Sequence, residues 1–230
     1  MRTVTFKSVL DEVVLLKGFQ PDQLDLSASQ ALVMAKYMER WCRQGWEYAF
    51  WPEWTLVESR TPVSSVVSLE QSGQTKIGEI EGVYKSEKAA RLGYGRVDYV
   101  LTASGIDLSH TSGAPATPYI KFRKRPPRFT TEAWSEGNTG AYDEGYVVYF
   151  PATVGSQLQG ECYLLEPDGN GSFEWVKQDL PAILKDVVVY GAYSDCLKQD
   201  GKHEDAGRWA QWAQDELHRV HNLVFRQQKL

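Results

Sequence analysis

The chain has 230 residues, 42% of them apolar and 24% charged, with a formal net charge of −5 at neutral pH. That length can bury one large or two small cores, and that composition excludes a wholly disordered chain. The net acidity gives no support to bulk attraction to nucleic acid, and no apolar run approaches the roughly 18 residues that span a bilayer.

Phe6, Val9, Leu10, Val13 and Leu16 share one face of an expected short helix that stops at Gly18. The opening residues carry no long apolar stretch or small-residue cleavage site, so a secretory signal is not expected. Ser27 and Gln30 have the spacing of a capping box. The helix they open is expected to run to about Trp46 and to bury Ala31, Met34, Ala35, Met38 and Cys42. Its exit is dense in aromatics: Trp41, Trp46, Tyr48, Phe50, Trp51 and Trp54. A corner filled by bulky side chains accounts for them better than an exposed platform for sugars or bases.

From Thr55 the apolar period changes to alternation. Strands are expected at 57–62, 63–69, 77–84, 97–102, 119–122, 146–150, 162–165 and 173–176. Turn signals separate them at Ser72-Gly73, Gly93-Tyr94-Gly95, Ser104-Gly105, Ser112-Gly113, Gly137-Asn138 and 168–171, while 114–118 and 132–142 read as exposed loops. Close-spaced strands of this kind predict an antiparallel sandwich or small barrel. The run from Lys121 to Arg128 is the sharpest charge feature. Arg123, Lys124, Arg125 and Arg128 could contact DNA phosphate or an acidic protein partner. The same run also reads as an edge strand protected by charge and halted at Pro126-Pro127.

The C-terminal fifth again has helical period. Asp179 is expected to cap a helix with Pro181 in its first turn, which buries Ile183, Val187, Tyr190, Ser194 and Leu197 and leaves Lys185, Asp186, Asp195 and Lys198 on the polar side. Asp200-Gly201 ends it, and a second helix from about Glu204 repeats Trp209, Ala213, Leu217, Val220 and Val224. Each helical hairpin has one apolar face, so the two are expected to pack together, giving an α+β chain. Its parts are residues 1–56 as the N-terminal portion of a helical bundle, 57–179 as an inserted antiparallel β-sandwich or barrel, and 180–230 as the C-terminal hairpin with a tail.

Catalytic signals are weak. Cys42, Cys162 and Cys196 are far apart and form no C-x-x-C pair, which predicts small buried side chains. Asp215, His218 and His221 share a helix face but lack zincin spacing, and His110 and His203 do not obviously complete a shell. Phe173 stands where a calcium loop beginning at Asp168 would need glycine. No phosphate-cradling loop or nucleophile elbow is present. No cofactor, metal or catalytic residue is expected.

Leu180, Pro181, Asp186, Val188, Val189, Tyr190, Gly191, Ala192, Leu197 and Trp209 form a pattern, Leu-Pro followed by D-x-V-V-Y-G-A and a Trp-bearing second helix. This pattern resembles the end of tailed-phage head-to-tail adaptor proteins, the class that includes tail tubular protein A. The Trp-containing helix exit is similar too, and the Arg123-Lys124-Arg125-Pro126-Pro127 run stands where related chains often carry an Arg-x-Pro-Pro step. The likeness implies a non-enzymatic virion component, made in the host cytoplasm and placed in the neck. There it forms a homo-oligomeric ring, commonly dodecameric, between the portal protein and a downstream tail or nozzle protein, with double-stranded DNA passing through and no membrane involved. It also implies portal contact by the segment from Asn222 onward, with Leu223, Val224, Phe225 and Arg226 as interface residues. A carbohydrate-binding or glycan-hydrolysing β-sandwich, with tryptophans stacked on sugars, is the alternative; a metal-dependent hydrolase using His218 and His221 is a further one.

Overall fold

The computed structural model describes residues 3–4, 6–21, 28–52, 54–69, 74, 77–124, 128–130, 147–149, 163–167, 173–177 and 180–227. In chain order these form β1 (Thr3–Val4), α1 (Phe6–Leu16), α2 (Ala28–Tyr48), β2 (Thr55–Ser59), β3 (Val66–Val67), β4 (Ile77–Tyr84), α3 (Glu87–Leu92) and β5 (Arg96–Val97). There follow β6 (Val100–Thr102), β7 (Gly105–Asp107), β8 (Tyr119–Lys124), β9 (Arg128–Thr130), β10 (Val147–Tyr149), β11 (Tyr163–Pro167), β12 (Phe173–Lys177) and β13 (Leu180–Pro181). A single 3-10 turn, Ala182–Leu184, leads into α4 (Lys185–Gln199) and then α5 (His203–Gln227). The protein is thus α+β.

The chain divides into two compact units. One takes Met1–Ala49, Pro127–Leu165 and Trp175–Leu230; the other takes Phe50–Pro126 with Glu166–Glu174.

In the first unit α4 packs against α1, α2 and α5. It is enclosed on nearly every side: Val187, Val188, Val189, Gly191, Ala192, Ser194, Asp195, Cys196 and Leu197 are all buried. The apolar face expected for α1 contributes Val9, Leu10 and Val13, and that of α2 contributes Met34, Ala35, Met38 and Cys42. Contact between α4 and Trp41 is unusually close: a Cβ added to Gly191 would lie 1.9 Å from the Trp41 ring. Glycine is therefore required where the indole crosses the helix. The ion pairs Lys185–Glu12 and Lys17–Asp200 join α4 and its exit to α1.

The start of α4 differs from expectation. Leu180–Pro181 pairs antiparallel with Thr3–Val4, and the helix begins only at Lys185. The N-terminal strand offers the chain a backbone partner, and proline, which has no N–H, is tolerated at a strand end. The expected caps Ser27 and Asp179 lie outside the described residues.

The second unit holds two antiparallel sheets, in the orders β2-β8-β4-β5 and β3-β7-β6. Its core is Val67, Ile77, Val83, Val97, Ile106, Leu108, Ile120 and Phe122. The expected strand 63–69 is broken, because Ser64 and Ser65 take φ of +51° and +67° and turn the chain so that Val63 bridges Val66. Gly105 is not a turn residue but opens β7 at φ +138°, where a Cβ would sit 2.1 Å from the Val67 carbonyl oxygen. Helix α3 was not expected. Ser86 accepts from the Ala89 amide at 3.2 Å as its cap, Arg91 pairs with Glu87, and Gly93 ends it at φ +75°. In the first unit one strand pair, β9 with β10, runs parallel, against the antiparallel expectation.

Candidate functional site

The tryptophans at the aromatic exit of α2 are core, while Tyr48 is exposed. Trp41, Trp46, Trp51 and Trp54 are buried, and a buried indole presents no face to a sugar or base. Trp134 lies outside the described residues, as does the side chain of Trp175.

Trp41 donates through Nε1 to Asp195 Oδ2 at 2.9 Å, and Arg40 reaches the same carboxylate at 3.1 and 3.3 Å. Lys198 adds a contact at 3.2 Å. Asp195, expected among the solvated residues, is only 3% exposed, because α2 crosses α4 on that side. A carboxylate survives there since donors surround it. Ser194 Oγ likewise donates to the Ala206 carbonyl at 2.8 Å, fixing α5 on α4. Burial pushes the Cys42 thiol up to about 12 and the Cys196 thiol up to about 11, so neither is a nucleophile at neutral pH. Cys162 lies outside the described residues.

The basic run divides. Arg123 is turned inward, pairs with Glu79 and lies 5.0 Å from the Phe50 ring centroid. Lys121 pairs with Glu81 at 2.9 Å. Arg123 is therefore engaged within its own sheet. The side chains of Lys124 and Arg128 and the whole of Arg125 lie outside the described residues.

His218 bonds through Nδ1 to the Tyr48 hydroxyl, and His221 stands edge-on to the Tyr48 ring at 5.2 Å and beside Phe225 at 4.5 Å. Asp215 accepts from Gln211. Among the described residues no group of three His, Cys, Asp or Glu is placed to hold a metal. No helix among them is long and apolar enough to cross a membrane.

Of the expected interface residues, Val224 joins Ala213, Leu217 and Val220 on the packed face of α5. Leu223 faces outward at 45% exposure, Phe225 is half-buried, and the Arg226 side chain lies outside the described residues. The segment from Asn222 to Gln227 continues α5.

The largest exposed aromatic of the C-terminal hairpin is Trp212, 51% exposed. Its ring meets Trp209 edge-on at 4.7 Å, and Trp209 in turn meets Tyr193 at 4.9 Å and Tyr190 at 5.4 Å. These four rings form a column running from the α4 surface to solvent. Sequence periodicity placed Trp209 but passed over Trp212; the available signal was a tryptophan among charged residues on the polar face. The arrangement has the chemistry of a docking surface: a braced indole on a rigid helix among charges of both signs.

A scan against protein-family models matches no family, and no curated protein matches the chain.

Proposed function

We propose that this chain is a structural, non-enzymatic virion protein, an adaptor that joins a portal to tail components as a ring around the DNA channel. The observation that carries the proposal is the work done by the residues of the adaptor-like pattern. Val188, Val189, Gly191, Ala192 and Leu197 are buried in α4, the helix that binds both ends of the chain into one unit, and Trp209 meets Tyr190 edge-on. A pattern with no catalytic logic is thus accounted for by scaffold duties, which suits a protein whose task is assembly. In this reading the two helical hairpins form a bundle, the β unit is an insert, and Leu223 and Phe225 supply the apolar contact to the portal, with Val224 retained in the core.

The test is the mass of the full chain in solution, alone and mixed with its cognate portal protein. Growth into a ring-sized complex upon mixing supports the proposal, and Leu223→Asp is expected to prevent it without changing the helical content. Indifference to portal overturns the adaptor reading, while attachment retained in Leu223→Asp overturns the anchor role.

A further inference from the structure

Four charges on the outer face of α5 are arranged antisymmetrically about Trp212. Asp205 precedes Trp212 by seven residues and Arg219 follows it by seven; Arg208 precedes it by four and Glu216 follows it by four. Seven residues are close to two helical turns and about 10.5 Å of rise, so these positions lie near one stripe. Asp205, Arg208, Trp212 and Arg219 are exposed, and Glu216 is half-buried at the stripe's edge. A two-fold axis through Trp212, perpendicular to the helix, brings Asp205 of one copy onto Arg219 of the other. It also brings Arg208 onto Glu216 and Trp212 onto Trp212.

We propose that this face pairs two copies of the chain through antiparallel α5 helices. A two-fold interface uses the same patch twice and must be complementary to itself. Reversal of sign about a central apolar residue meets that condition, and a partner of another sequence would not require it. Within one chain Arg208 pairs with Glu204 at 2.5 Å and Arg219 with Glu216 at 2.7 Å. Such exposed pairs contribute little, so the same groups can extend across the axis into four-membered networks. The column of Trp209, Tyr193 and Tyr190 beneath Trp212 limits the ring's freedom in the free chain, which lowers the ordering cost of association.

The proposal does not depend on the adaptor reading and is tested without portal. Sedimentation of the full chain over a concentration series is expected to show a species of twice the 26.0 kDa chain mass. Trp212→Ala, Asp205→Arg and Arg219→Asp should each sediment as single chains with unchanged circular dichroism. Mixing the last two should restore the doubled mass, because each then supplies the charge its partner lacks, and so should the Asp205→Arg/Arg219→Asp chain alone. A wild type that stays at 26.0 kDa, single variants that pair like wild type, or mixed variants that remain apart would each overturn the proposal. So would a single chain whose Trp212 is covered only when portal is added, which assigns the face to portal instead.

Discussion

The helical unit and the β unit reach a unique structure by different means. In the helical unit a helix buried nearly all round accepts a carboxylate, Asp195, and an indole laid against a glycine, Trp41 on Gly191. Slippage of α2 along α4 would strand the Asp195 charge and drive the indole into a side chain, so the polar contact and the close approach fix the register. In the β unit the core is mostly β-branched, with Leu108 and Phe122, and the ion pairs Lys121–Glu81 and Arg123–Glu79 join neighbouring strands. Register there rests on backbone conformations at Ser64, Ser65 and Gly105. The lesson is that the first unit is most sensitive to side-chain volume and charge, the second to backbone freedom.

Gly191→Ala should break the comparison most forcefully. The new methyl group has no room beside Trp41, and the expected cost is about 3 kcal/mol, more than the roughly 1 kcal/mol that alanine gains in helix propensity. Hydrogen exchange should locate the loss in α2 and α4; equal loss in β4 and β8 would remove the distinction between the units. Asp195→Ala comes next. Arg40 can return to water but the buried Trp41 N–H cannot, for an expected loss of about 2 kcal/mol in denaturant unfolding. Asp195→Asn, which keeps an acceptor, should lose less.

In the β unit, Ser64→Asn with Ser65→Gly should raise the melting temperature. Both residues have left-handed φ, which Asn-Gly adopts readily in a two-residue turn, and a gain of about 1 kcal/mol is expected. No gain would mean that side-chain packing sets this register as well.

The smallest expected effect is at Asp186. Burial, then Glu216 and Glu12, raise its carboxyl above the ordinary aspartate value of 3.8. The folded state therefore holds this proton more tightly than the unfolded chain does. Its charge opposes folding above the raised value, and the opposition fades as pH falls toward 3.8. Asp186→Asn should stabilise the protein at neutral pH and lose that advantage in acid; an advantage that is the same at every pH would show that burial of charge is not its cause.

Much of this was legible in the chain. Spacing located α1 at Phe6–Leu16, the α4–α5 turn at Gly201 and the apolar stripe of α5, because helical period and glycine punctuation act within a few residues. It also marked β4 at Ile77–Tyr84. Helix α3 was missed because six residues carry too little period, although Ser86 and Gly93 bracket it. Of the candidate site, Trp209 was visible as a periodic residue and Trp212 was not, since exposure is no property of a residue type.

Local pattern by itself determined that two helical ends flank a strand-rich middle, because backbone period and apolar faces are written in near neighbours. Only the tertiary structure decided that α4 is enclosed, that Asp195 lies under α2, that Pro181 joins a strand and that Arg123 faces inward. Each depends on which distant segment arrives, as Thr3 does at Pro181 and Trp41 at Gly191. Residues so far apart meet only when the fold closes, and the desolvation and crowding that decide their roles arise at that point.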